Sequence, residues 1–241
     1  MDGELKNLPL IVYPHGGPQS RDWLAFDPLA QYWASQGYLV FQPNFRGSTG
    51  YGKAFEEAGY QQYGGRILDD IESGIRALIK AGYADPDRIC VAGMSFGGYA
   101  AVAMAAFKPG LVKCAISING LHDLPFRITN KLKDVKDREL RFDVRDFFDR
   151  TVGNIDTQRD LLERHSTVLH AASVNVPILL IHADDDENVE VEHSIRMEAA
   201  LKKAGKDVQL IRLPKGGHSL KTGGALRTTI LESMQFFRAH L

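Results

Sequence analysis

The residues that could do chemistry begin with a serine set between glycines, Gly93-Met94-Ser95-Phe96-Gly97. The apolar run 89–92 leads into it, and small residues dominate from Gly97 to Ala106. A buried strand followed at once by a tightly packed helix would place Ser95 on a sharp turn with its hydroxyl exposed. The residues two positions either side must then be nearly free of side chain, because strand and helix press together there. A serine hydroxyl is a poor nucleophile at neutral pH. It needs a general base within hydrogen-bond reach, and a carboxylate to orient that base. Both types occur late in the chain, each after an apolar run. Asp184-Asp185-Asp186-Glu187 follows the run 177–182, and Gly216-Gly217-His218 follows the run 208–213. The chemistry implied is attack on an acyl carbon with proton transfer through a histidine.

His218 is the histidine best placed to act as base, since the Gly-Gly pair before it permits an unusual backbone and close approach to the serine turn. His122, His165 and His170 fall in a charged stretch, His193 in a helical pattern, His182 at the end of a buried run and His240 at the C-terminus. The acid stays open among residues 184–187 on spacing alone. The same carboxylates could bind a divalent cation, but no histidine at ligand spacing accompanies them, so neither metal nor cofactor is expected. A fourth element is Tyr13-Pro14-His15-Gly16-Gly17-Pro18, directly after the first apolar run. A backbone amide there could donate to a developing oxyanion. Gly17 N–H is the candidate, with Phe96 N–H as the other donor at the start of a helix whose dipole favours negative charge.

These residues need elements to carry them. Strand-like runs at 8–13, 38–43, 88–93, 113–118, 177–182 and 208–213 alternate with helical periodicity at 27–36, 67–81, 96–107, 191–204 and 222–241. Continuous apolar strands alternating with helices predict an α/β domain, a mostly parallel sheet covered on both faces. Residues 120–174 are highly charged and show no strand pattern, which predicts a helical insertion over the sheet, with the run 131–145 solvated. The chain of 241 residues carries a formal net charge of −1. That gives no basic face for nucleic acid or for an anionic membrane. No apolar run reaches transmembrane length, and Met1–Lys6 has no leader pattern. Cys90 and Cys114 read as reduced core thiols, which fits a cytoplasmic protein.

With these motifs in place, the chain resembles the catalytic domain of the prolyl oligopeptidase family of serine peptidases, in its acylaminoacyl-peptidase and dipeptidyl-peptidase branches. The resemblance runs from about Leu8 onward. It is carried by His15-Gly16-Gly17-Pro18, Asn44-Phe45-Arg46-Gly47-Ser48-Thr49-Gly50-Tyr51-Gly52, Asp87-Arg88-Ile89, the serine pentapeptide with Gly98-Tyr99, Leu179-Leu180-Ile181-His182 with Asp185-Asp186, and Gly217-His218. Segment 44–52 is the most specific, because generic esterases do not need it. The resemblance implies an α/β-hydrolase fold over 1–241 with 120–174 as insertion. It also implies a triad of Ser95, His218 and an acid that falls on Asp186. Three features depart from the family pattern: Ala183 and Glu190 replace a glycine and a proline, Phe96 replaces a tyrosine, and the family's β-propeller is not found in these residues. The expected activity is hydrolysis of small peptides or acylated amino acids through an acyl-enzyme. A carboxylesterase using the same residues is the alternative, and a non-catalytic interaction module a third. Two antiparallel strands and the propeller are expected upstream of this chain. Without them, exposed apolar surface would favour self-association.

Overall fold

A computed structural model describes residues 6–241. The leader reading at Met1–Lys6 therefore lies, Lys6 apart, outside the described residues. Six strands of the described residues form one sheet: β1 (Leu8–Val12), β2 (Leu39–Phe41), β3 (Ala84–Met94), β4 (Cys114–Ile118), β5 (Ile178–Ala183) and β6 (Val208–Leu213). Their order is β2-β1-β3-β4-β5-β6, and every pairing is parallel. Among the described residues nine helices accompany them: α1 (Pro28–Ser35), α2 (Lys53–Glu57), α3 (Arg66–Lys80), α4 (Phe96–Phe107), α5 (Leu124–Asp134), α6 (Arg138–Thr151), α7 (Arg159–Arg164), α8 (Glu192–Lys203) and α9 (Gly223–His240). A 3₁₀ segment, Thr167–Ser173, leads back towards β5.

Strand side chains alternate between two cores, as the pleat requires. Leu10, Val12, Ile89 and Val91 join α3, α4 and α8 on one face. Ile11, Cys90 and Ala92 join α1 and α9 on the other. Trp33 wedges the second face, with its ring centroid 5.1 Å from Tyr13 and 5.4 Å from Phe237. Burying such a side chain contributes roughly 2–3 kcal/mol. Polar caps and a proline in the first turn start two of the helices. Asp27 accepts from Ala30 N at 2.8 Å, ahead of Pro28, and Asp123 accepts from Phe126 N at 2.9 Å, ahead of Pro125.

The structure differs from expectation at three places. Strand β3 reaches back to Ala84, where Leu8 pairs with it across a register shift. Pro86 and its flanking aspartates look like a loop, yet they ride in the irregularity. The five-residue α2 is too short to show a period. Third, Cys90 and Cys114 stand opposite each other in the β3–β4 register, Cα atoms 4.8 Å apart, and are joined as a disulfide. This corrects the reduced-thiol expectation, and the cytoplasmic reading loses the free thiols it was drawn from. Which residues face each other is a property of register, which neither strand's sequence contains.

Between residues 120 and 174 the described chain is helical without a strand, as expected. Most of the run 131–145 is exposed. At the serine turn β3 and α4 approach closely. A side chain at Gly93 would overlap the Gly97 backbone, and one at Gly97 would overlap the Pro14 carbonyl oxygen. Gly97→Ala should therefore cost about 3 kcal/mol, because the obstructing atoms are backbone and cannot turn aside. Gly224→Ala, in open space in the first turn of α9, should instead add about 0.5 kcal/mol. Urea midpoints of the two variants check both signs.

Candidate active site

Ser95 caps α4 with φ 59° and ψ −119°, a strained conformation that turns the chain sharply out of β3. Its N–H donates to Ile118 O at 2.9 Å, so the turn is tied to the end of β4. The amides of Phe96 and Gly17 find no acceptor among the described residues. Gly16 lies against the turn, where an added Cβ would sit 3.5 Å from Ser95 Cβ. Ser95, His218, Gly16 and Gly17 all line one cavity of about 590 Å³.

The loop after β5 carries the carboxylates, and the structure divides their work. Asp186 Oδ2 accepts from His218 Nδ1 at 2.7 Å, while its Oδ1 accepts from Asn188 N at 2.8 Å and Val189 N at 2.9 Å. The Asp186 side chain is fully buried. Burial acts to raise its pKa, but the hydrogen bonds from His218, Val189 and Asn188 outweigh it and hold the carboxyl below its ordinary value. Asp185 Oδ1 accepts from Gly216 N at 2.9 Å and Gly217 N at 2.8 Å, so it fastens the loop that bears His218. Asp184 bonds Arg212 at 2.7 Å. Of the four carboxylates left open by spacing, Asp186 is the one on the imidazole. Ser95 Oγ makes no hydrogen bond to His218, though both line the cavity. Serine–base contacts of this kind commonly tighten only with substrate bound.

The profile of the prolyl oligopeptidase family matches residues 24–241. The chain belongs to that family. Among its relatives, Caenorhabditis elegans dipeptidyl peptidase family member 6 is 30% identical over 214 residues, covering 88% of this chain and 28% of the relative. A Mycobacterium tuberculosis puromycin-hydrolyzing peptidase superposes with a TM-score of 0.87 at 26% identity, over 100% of this chain and 35% of the other. The Pyrococcus horikoshii acylaminoacyl peptidase gives 0.86 at 27% identity, over 100% and 38%. The chain thus spans about a third of the length of these relatives, and its fold is that of α/β-hydrolase peptidases.

Within this family domain, the segment 44–52 is scaffolding for the site. Asn44 exchanges hydrogen bonds with the backbone of Asp22 at 2.8 and 3.0 Å. Arg46 makes two 2.7 Å bonds to Asp70. Ser48 donates to His15 Nε2 at 2.8 Å, while His15 Nδ1 donates to Gly16 O at 2.7 Å. Burial holds His15 below its ordinary pKa, so it is a neutral strut for the glycine turn. Asn119 escaped the sequence reading. Fully buried, it donates to Gly217 O and His218 O at 3.2 and 2.9 Å and accepts from Ala183 N at 2.9 Å. It stitches the β5 and β6 loops together, and an isolated Asn after a strand carries no signal of that. His122, buried, bonds Ser117 and Thr167, away from the cavity. Among the described residues no group of three or more His, Cys, Asp or Glu could hold a metal ion, and no helix is long and apolar enough to cross a membrane.

One end of the cavity is acidic. Asp22 and Asp27 line it, and Asp22 Oδ2 is buried without a hydrogen-bond partner. Burial, with the Asp27 charge added, pushes the Asp22 carboxyl up to about 6. A carboxyl raised on folding weakens the native state as pH climbs past its unfolded value, fully so above its folded one. Asp22→Asn should therefore be more stable than the parent at pH 8, by about 1 kcal/mol once solvent screening of this half-buried group is allowed for. At pH 4 the gain should vanish. Thermal melts at the two pH values check the difference.

Proposed function

We propose that this chain is the catalytic domain of a serine peptidase that works through an acyl-enzyme. Residues 1–241 act as one α/β-hydrolase unit, with 120–174 as its helical insertion. The observation that carries the reading is the 2.7 Å contact between a fully buried, triply hydrogen-bonded Asp186 and His218, on the same cavity as the strained Ser95. Because the Nδ1–H of His218 donates to Asp186, Nε2 is the free base, on the ring edge away from the carboxylate. Ser95 Oγ attacks the acyl carbon as His218 Nε2 takes its proton, and the oxyanion is met by the unpaired amides of Phe96 and Gly17. His218 then returns the proton to the departing amine. Water, activated by the same imidazole, attacks the acyl-Ser95 ester and releases the acid.

The apolar cavity wall formed by Tyr63, Leu121, Leu124, Phe148, Val152 and Val189 suits an apolar side chain next to the scissile bond. Short peptides and acylated amino acids are the substrate class this supports, in keeping with relatives that are named for dipeptidyl-peptidase and acylaminoacyl-peptidase activity.

A fluorophosphonate probe should label Ser95 in the parent and nothing in Ser95→Ala, which should retain its fold and lose activity by about 10⁴-fold or more on an acyl-peptide anilide. Labelling that survives Ser95→Ala would refute the assignment. Asp186→Asn should cost about 10⁴-fold in rate, because an amide would hold the wrong imidazole tautomer. Asp185→Asn should lose no more than about tenfold, since Asn Oδ1 can still accept from the Gly216 and Gly217 amides. The ratio of the two rates reads out the division of labour in the loop.

A further inference from the structure

The loop that shapes Asp186 is itself held from outside. Helix α5 of the insertion lies beside it, and Arg127 donates from Nη1 to Asn188 O and from Nη2 to Asn188 Oδ1 at 3.2 Å. One turn further along α5, Lys131 Nζ donates to Glu187 O at 3.3 Å. Glu190, the residue that stands where the family pattern has proline, places Oε2 3.6 Å from Arg127 Nη1. That oxygen has no hydrogen bond of its own, so the pair acts by charge and leaves the guanidinium's bonds to Asn188. Asn188 is the pivot. Its outward carbonyl and side chain are gripped by Arg127, while its inward N–H, with that of Val189, holds Asp186 Oδ1.

We propose that Arg127 is a positioning residue for catalysis, clamping the 187–190 loop so that the Asn188 and Val189 amides hold the Asp186 carboxylate square to His218. The proposal rests on the triad reading above. Three facts support a positional task over surface decoration. The Arg127 side chain is only 13% exposed, and it lines the cavity of Ser95 and His218. Burial lowers its pKa, with Glu190 opposing, so the charge is kept where desolvation disfavours it. The planar fork meets two acceptors of one residue, a geometry that an ammonium cannot reproduce. A proline in place of Glu190 would stiffen the loop through its fixed φ. Here an ion pair from the insertion does that work.

The test compares the whole parent protein with Arg127→Ala and Arg127→Lys. The reagent is a small alkyl fluorophosphonate, which carries no carboxylate or peptide carbonyl for a guanidinium to bind. Ser95 phosphonylation should slow by about tenfold to a hundredfold in Arg127→Ala. On an acyl-peptide anilide kcat should fall likewise with KM within twofold, and Arg127→Lys should recover part of the loss. A phosphonylation rate within twofold of the parent would overturn the proposal. So would a raised KM at unchanged kcat, which would make Arg127 a substrate contact. Should Arg127→Ala not fold, the downfield proton resonance of His218 Nδ1–H in Arg127→Lys decides. A shifted or broadened line supports the clamp, and an unchanged line overturns it. That resonance also separates the two claims: a parent that fails to react with the probe refutes the triad reading, while the line still reports on the loop.

Discussion

A carboxylate taken fully out of water beside an imidazole is the interaction that the rest of this site is arranged around. Removing an ion of that size from solvent costs several kcal/mol unless its lone pairs are filled. Asp186 has them filled by two backbone amides and the His218 ring, with the His182 ring 3.7 Å away. His182 is itself oriented, donating from Nε2 to Val189 O at 2.9 Å and accepting on Nδ1 from Ser194 at 2.7 Å. Each bond restricts one loop, and together they make the β5 and β6 loops a single body. Asn119 and Asp185 complete that body by tying down the Gly217–His218 turn from the other side. The carboxylates at 184–186 are thus three different parts: a surface ion pair, a loop fastener and the partner of the His218 imidazole.

The serine turn depends on a separate constraint, the distance between β3 and α4. Every residue of α4 from Phe96 to Ala106 is buried, and Gly97 and Gly98 leave no side chain to hold its first turn off the surrounding backbone. That closeness goes with the positive φ of Ser95 at the start of the helix. The parallel sheet makes this possible, since adjacent strands all end at the same rim, where ligands bind in open α/β folds. Ser95, Asp186 and His218 follow three different strands, β3, β5 and β6, and lie at that rim. The second core, where Trp33 and Phe237 pack edge to face, lies on the opposite side of the sheet from α3 and α4.

Segment 44–52 shows how a specific sequence signature can be structural in content. None of its side chains lines the cavity, yet Asn44 positions Asp22 and Ser48 positions His15, both of which do. Arg46 anchors the segment to α3 through Asp70. Burial raises the carboxyl of Asp70, but the bonds from Arg46 outweigh that and hold it below its usual range. The exposed apolar residues Trp23, Leu24 and Phe26 lie on the loop between β1 and α1, beside the acidic end of the cavity.

The sequence by itself determined the parts of the protein that depend on local pattern. Six strands and the major helices of the sheet layers stood within a few residues of their expected bounds, because apolar runs, capping aspartates and terminal glycines are read locally. Ser95 and His218 were legible for the same reason, each set among glycines after a strand. Asp186 needed the family resemblance, since four adjacent carboxylates look alike until a loop turns one of them inward. Tertiary structure alone decided the pairing of Cys90 with Cys114, the bonds of Asn119, and the grip of Arg127 on Asn188. Each joins residues far apart in the chain, and such contacts are set by strand register and helix docking. No local pattern encodes those.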